Sequence, residues 1–284
     1  MTSDKFDYIT YTSFTDPGLI RPQNEDSLAA LPADGCFLVS DGMGGGSAGE
    51  IASRIVAERV ADAVVDSARN SPGNRKYAIH QAVIRANREI LNYARARDYA
   101  QMGSTLVLWL ADSWDPRRAW LCHVGDSRVY RMRGGSLAAL TRDHTIGAEI
   151  AARTADASYA EHSASAISHI LTRSIGVTDK VVPEWDPTDV VPGDLFLICS
   201  DGVSTMLTDA EIAEILAGEN GAPDATAAVL AERVRQAGAH DNFTFIILRI
   251  AGKLPKAAPR SDDEKKENAA MLETAEKDRE IYRK

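Results

Sequence analysis

The sequence predicts an α+β protein, in which strands and helices are grouped rather than alternating. Three observations lead there. Two strand-like stretches near the N-terminus are followed by two consecutive amphipathic helices. Residues 105–140 hold several strands with no helix between them. Two apolar runs, Phe37 to Ser40 and Leu195 to Ser200, each end in an Asp-Gly pair, Asp41-Gly42 and Asp201-Gly202, as buried strands do when they deliver an acid to a sheet edge.

Taken in order, Tyr8 to Phe14 is rich in aromatic and β-branched residues and predicts a first strand. A turn at Asp16-Pro17-Gly18 and a polar stretch, Arg21 to Asp26, lead to a short strand over Ser27 to Leu31. Pro32 to Gly35 predicts a hairpin turn into the strand that ends at Ser40. After the glycine string Gly44-Gly45-Gly46, Ser47-Ala48-Gly49-Glu50 fits a capping box, and Ile51, Ile55, Val56, Val60 and Val64 recur at helical spacing. A second helix is expected over Arg75 to Arg97. Strands at Thr105 to Leu110, Ala119 to Val124, Arg128 to Met132 and Leu137 to Leu140 predict a meander. Residues 145–170 are rich in Ala and Ser without a clean period and read as a surface flap. An extended segment over Val182 to Pro192 precedes the strand at Leu195. A capping box at Thr208 to Glu211, a helix over Asp224 to Gln236 and a final strand over Phe243 to Ile250 complete the expected domain, residues 1–252. Residues 253–284 are dominated by charged residues and Ala, too poor in large apolar residues for a core of their own, and read as a solvated tail or as a helix that docks a partner.

The bulk composition narrows the function. At 284 residues and 44% hydrophobic content the chain can bury a sizeable core. A net charge of −9 argues against nucleic acid or an anionic membrane surface as partner. The three cysteines, Cys36, Cys122 and Cys199, lie in or beside apolar runs and lack metal-site spacing, which predicts buried, reduced thiols in a cytoplasmic protein. Neither an N-terminal apolar signal segment nor an apolar run of membrane-spanning length is present.

The chemistry-bearing residues are acids at strand ends. Asp41 and Asp201 end strands, Asp241 precedes one, Asp126 lies between two, and Glu25 and Asp26 precede an early strand. One Asp-Gly at a strand end is ordinarily a turn. Several in one chain suggest a shared purpose, since oxygen donors suit hard divalent cations. Carboxylates brought to about 4 Å repel by ~4 kcal/mol per pair at an effective dielectric near 20, and a bound cation reverses that sign. Arg21, four residues before Glu25, carries a planar guanidinium suited to a phosphate. Gly44, Gly46 and Gly49 match the dinucleotide fingerprint G-x-G-x-x-G, but the following helix leads to another helix, and Asp41 would set a negative charge near the pyrophosphate. A phosphate-binding Walker loop fails because Glu50 stands where Lys is required.

In this order the motifs resemble the metal-dependent serine/threonine protein phosphatase family, type 2C-like, in its compact bacterial form. The resemblance rests on Arg21 to Asp26, Val39 to Gly49, Met102 to Thr105, His123 to Arg128, Leu140 to Thr145, Leu171 to Gly176, Ser200 to Gly202 and Asp241-Asn242. It implies a four-layer αββα sandwich, two mostly antiparallel sheets flanked by helix pairs. It also implies hydrolysis of phosphoserine and phosphothreonine by direct attack of metal-activated water, with two manganese or magnesium ions and a third, weaker site. Asp41 would bridge the two ions, Asp201 and Asp241 would complete one shell, and Glu25 and the Gly42 carbonyl the other. Asp126 would join Asp201 at the third site, Arg21 would bind the substrate phosphate, and Asp26 and Asn242 would support the cluster. The implied partners are phosphorylated proteins, the products of a serine/threonine kinase. The sequence departs from the family where some members place a histidine that protonates the leaving alcohol; here Met43 and Gly46 occupy those positions. The alternative this leaves is a catalytically weak pseudophosphatase that binds phosphoproteins; a dinucleotide oxidoreductase ranks third.

Overall fold

The computed structural model describes residues 5–44, 47–153, 169–218 and 222–259. In chain order the elements are β1 (Ile9–Asp16), β2 (Asp26–Leu31), β3 (Cys36–Met43), α1 (Ser47–Asn70), α2 (Arg75–Ala96), β4 (Gly103–Ser104), β5 (Leu106–Ala111), β6 (Arg118–Val124), β7 (Arg128–Arg133), β8 (Ser136–Ala139), α3 (Ile146–Arg153), β9 (Glu184–Asp189), β10 (Leu195–Cys199), α4 (Asp201–Ser204), α5 (Asp209–Ala217), α6 (Pro223–Gln236) and β11 (Phe243–Ile250). One sheet has the order β1-β11-β10-β7-β8, the other β2-β3-β5-β6-β9, with β4 pairing the end of β3. Among the described residues the strand pairs are antiparallel.

Three buried clusters separate four layers. Phe37 and Val39 of β3 join Trp109, Phe196, Ile198, Ile246 and Leu248 between the sheets. Leu38, between them in sequence, faces outward with Leu106 and Leu108 onto Val56, Val60 and Val64 of α1 and Ile79, Val83 and Ile90 of α2. On the far side Leu197, Phe245 and Ile247 pack against Ile212 and Ile215 of α5 and Leu230 and Val234 of α6. Successive side chains of a strand point to opposite faces, and here both faces are covered. The central strands therefore read as unbroken apolar runs, and the sandwich is the αββα architecture the resemblance implied.

Two expectations need correction. The block over residues 105–140 is not one meander: β5 and β6 lie in one sheet, β7 and β8 in the other, and the chain crosses between them at Gly125-Asp126-Ser127. Turn and strand signals mark where strands run, whereas partner choice is a long-range matter of which faces need covering. Ser47 is the first helical residue of α1 rather than its cap, and its hydroxyl lies 3.5 Å from that of Tyr99. Pro32 to Gly35 is the expected hairpin turn, closing β2 onto its antiparallel partner β3 through a short 3₁₀ turn over Pro32–Asp34. The second capping box is present: Thr208 Oγ1 accepts from Glu211 N at 3.3 Å, and Thr208 N donates to Glu211 Oε2 at 2.8 Å.

Pro187 lies in β9, the edge strand beside β6, where a missing amide donor is tolerated. Helix α3 belongs to the expected flap, whose residues 154–168 lie outside the described residues, as do Gly45, Gly46 and residues 260–284 of the expected tail. The described part of that tail approaches the domain where Ala258 N donates to Trp114 O at 2.7 Å. Among the described residues no helix is long and apolar enough to cross a membrane.

Candidate metal centre

The strand ends converge at one rim of the sandwich. There a cleft of about 260 Å³ is lined by Arg21, Glu25, Asp41, Gly42, Asp126, Asp201 and Asp241, all seven of the residues expected to contact metal or phosphate. Asp41 comes from the end of β3, Asp201 from the step between β10 and α4, Asp241 from the entrance to β11, Asp126 from the β6–β7 crossing and Glu25 from the entrance to β2. Five acids spread over more than two hundred positions of sequence thus face one space.

The two Asp-Gly pairs serve this convergence. Neither is a turn. Gly42 lies inside β3, and a side chain there would collide with the carbonyls of Gly49 and Glu25. A side chain at Gly202 would collide with the carbonyl of Asn242. Each glycine admits the backbone that carries another acid, Glu25 in one case and Asp241 in the other. Gly42 N also donates to Glu25 O at 3.1 Å.

Asp26 and Asn242 lie behind the cleft. Asp26 pairs in register with Asp41 across β2 and β3, and its Oδ2 accepts from Ser200 Oγ at 2.8 Å. Asn242 Oδ1 accepts from Glu25 N at 2.7 Å, while its amide nitrogen donates to Pro17 O at 2.9 Å and Gln23 O at 2.8 Å. One side chain thus ties the Arg21–Glu25 loop to β11. Arg21 reaches Asp241 Oδ2 at 2.7 Å with both side chains about half exposed, so the guanidinium stands at the cleft and can turn toward an anion.

The electrostatics show what the cleft lacks. Burial drives the carboxyl of Asp41 well above the usual carboxylate range, and the charges of Asp26, Asp201 and Asp126 push it further. The carboxyl of Asp201 is raised too, chiefly by burial, while its hydrogen bond to Asp41 pulls it the other way. Asp26 and Asp126 are each pushed up to about 7, chiefly by burial, with Asp201 adding to both. Glu25 is raised as well, again mainly by burial. Asp26 Oδ1 is buried without a hydrogen-bond partner. Oxygen donors crowded and buried so that they repel one another fit hard divalent cations, which cancel that repulsion. The residues present therefore fit a metal centre.

The comparisons agree with this geometry. A sequence profile described as Protein phosphatase 2C matches residues 22–240. The chain belongs to the protein phosphatase 2C family. Arg21 and Asp241, one residue beyond each end of that match, are joined in the fold by their own ion pair. The serine/threonine phosphatase stp of Listeria innocua is 31% identical over 242 residues, covering 82% of this chain and 93% of that protein. The serine/threonine protein phosphatase PstP of Mycobacterium tuberculosis is 32% identical over 244 residues, covering 85% of this chain and 45% of that longer protein. A crystal structure of the PstP catalytic domain in complex with two manganese ions superposes with a TM-score of 0.72 at 29% identity, covering 86% of this chain and 98% of that one.

Within this 2C-family centre several residues have roles that motif reading did not assign. Thr105 Oγ1 accepts from Asp41 N at 2.9 Å and pairs with Ser127 Oγ at 2.8 Å, while Thr105 N donates to Asp41 O at 2.8 Å. Ser104 Oγ donates to the same carbonyl at 2.7 Å. The Gly103-Ser104-Thr105 motif therefore clamps Asp41 and links it to the neighbour of Asp126. On the other side of the crossing, Gly125 N donates to His144 Nδ1 at 3.1 Å. His144 Nε2 lies 3.2 Å from Glu184 Oε2, and Arg173 bonds the same oxygen at 3.2 Å. His123, His144 and Glu184 could themselves ligate an ion, but the Arg173 cation against Glu184 disfavours one there. His169, from the end of the flap, also lines the cleft. Thr105 stands in the Met102–Thr105 stretch that carries the family resemblance; no sequence feature marks His169.

Proposed function

We infer that the protein is a metal-dependent protein serine/threonine phosphatase, a hydrolase of phosphorylated proteins. The observation that carries this is the convergence of five carboxylates and one arginine on a single cleft in a 2C-family fold. The pseudophosphatase alternative is set aside, since the similar proteins are themselves named phosphatases and the acid set is intact here.

The individual roles are proposed as follows. Asp41 would be shared between two ions; Asp201 and Asp241 would hold one of them, and Glu25 with the Gly42 carbonyl the other. Asp126 and Asp201 would serve a third. Manganese or magnesium fits these oxygen donors, and the manganese complex of PstP favours two ions in the core site. When bound, such ions supply a water acidified toward neutral pH and neutralise phosphoryl charge. The chain's own residues do the rest. Arg21 orients the phosphoryl oxygens, prepositioned by Asp241. Asn242 holds Glu25 and the Arg21 loop in place, and Asp26 backs Asp41 from the neighbouring strand.

Residues 1–252 are proposed as the catalytic domain, with 145–170 as a substrate-facing flap and 253–284 as a charged tail or helix, solvated or docked to a partner. Free buried cysteines and the bacterial relatives support a cytoplasmic enzyme of bacterial signalling that reverses a serine/threonine kinase. The test is release of phosphate from a phosphothreonine peptide with manganese and with EDTA. Turnover should require the metal; chelator-insensitive turnover, or none at all, would overturn the reading. Arg21→Ala should raise KM with a smaller effect on kcat.

A further inference from the structure

We propose that His169 is the catalytic proton donor to the leaving serine or threonine oxygen. The proposal rests on the phosphatase reading and assigns that reaction an acid at a place in the chain distant from Met43.

An alkoxide is a poor leaving group at neutral pH, so its departure needs a proton from a group within reach. Of the described side chains lining the cleft, Met43 and Leu171 carry no transferable proton. Arg21 is a guanidinium that stays charged and is held by Asp241. The Thr105 hydroxyl is engaged between the amide of Asp41 and Ser127. The five carboxylates form the candidate ion-binding set. His169 remains, and an imidazole can both donate and accept a proton. It is exposed, so solvent can restore its proton.

Its placement is also supported by backbone. Ile146 N donates to Ile170 O at 3.0 Å, Leu171 bridges Thr145, and Thr172 N donates to His144 O at 2.8 Å. His144 in turn accepts from Gly125 N, next to Asp126. The segment that presents His169 is therefore stitched to the same crossing that presents Asp126. In the step itself, the water oxygen bonds to phosphorus and the bond from phosphorus to the ester oxygen breaks. The ester oxygen keeps the electron pair and takes the imidazolium proton. The proton lost by water passes to solvent, and the imidazole regains one from solvent. The sum is phosphomonoester plus water giving alcohol plus inorganic phosphate.

The experiment compares wild type, His169→Ala and His169→Gln, each with saturating manganese, on a phosphothreonine peptide and on p-nitrophenyl phosphate, whose leaving group departs without protonation. The expected result is a kcat loss of about 100-fold or more on the peptide and one of less than about fivefold on the aryl ester, the same for both variants. Equal losses on the two substrates, no loss on the peptide, or restoration of peptide turnover by Gln would overturn the assignment. Wild-type protein inactive on both substrates would instead overturn the phosphatase reading on which it stands.

Discussion

Asp41 shows at the scale of one residue how function is bought with stability. It lies against Asp201, Asp126 and Asp26, and burial, with their charges adding, raises its carboxyl well above the usual range. Asp41→Asn should remove part of that repulsion and raise the melting temperature in EDTA at pH 8 by a few degrees. The same change should cut manganese-dependent kcat by about 100-fold or more, and Asp201→Asn should do likewise. Near wild-type turnover in both variants would sink the ligand assignments. Thr105→Val tests the support of Asp41 separately. The valine keeps the shape but leaves the Asp41 amide and the Ser127 hydroxyl without a buried partner, at a cost of about 1–3 kcal/mol. A melting temperature lower by about 2–10 °C, read by calorimetry, is expected; an unchanged one means the clamp contributes nothing.

At the scale of elements, the first turn of α1 and the β6–β7 crossing each set an acid in place. A Cβ at Gly49 would lie 2.6 Å from Glu25 Oε2, so Gly49→Ala should displace that carboxylate. Alanine is the better helix former by roughly 1 kcal/mol, so the fold should hold while manganese affinity falls about tenfold or more, measured by titration calorimetry. The crossing is backed by two buried histidines. Burial, with His144 and Arg173 adding, lowers His123 to about 4, and burial lowers His144 too. In the unfolded chain histidine binds its proton near pH 6.5, so between about 6.5 and 4 the unfolded state holds more protons. The stability contributed by neutral His123 is complete above 6.5 and is lost as pH falls. Urea unfolding at pH 7.5 and pH 5 should show a drop in the wild type that shrinks by up to about 2 kcal/mol in His123→Gln. An identical drop in the two proteins would show that His123 does not titrate as described.

At the scale of the whole molecule, the centre joins both sheets. Asp201 and Asp241 flank strands of one, Asp41 and Glu25 stand in or beside strands of the other, and Asp126 lies on the strand connection between them. A cation held there ties the two halves together and, bound only by the folded state, stabilises it by mass action. Manganese at a hundredfold excess over its Kd should add about 2.7 kcal/mol. That corresponds to a rise of about 5–10 °C in melting temperature, reversed by EDTA. A shift that survives Asp41→Asn and Asp201→Asn together would place the binding elsewhere.

Much of this was legible in residue order. The unbroken apolar strands at Phe37 and Leu195, the helical spacing from Val56 to Val64 and the Thr208 capping box are local patterns, enforced by a strand period of two, a helix period of 3.6 and the unmet amides of a helix end. The acids could be named because each sits where such a strand starts or stops, and the family motifs named the same residues. Long-range placement was not legible. Strand signals did not reveal that β6 and β7 part to opposite sheets, because pairing is decided by which buried faces must be covered. Nor did any signal mark His169, whose place in the cleft follows from the backbone bonds that the next two residues, Ile170 and Leu171, make to Ile146 and Thr145. The sequence by itself determined the elements, the donor chemistry and the family. Only the tertiary structure decided that five acids share one cleft, that Gly42 and Gly202 are there to admit their neighbours, and which histidine lines that cleft, because these depend on distances between segments far apart in the chain.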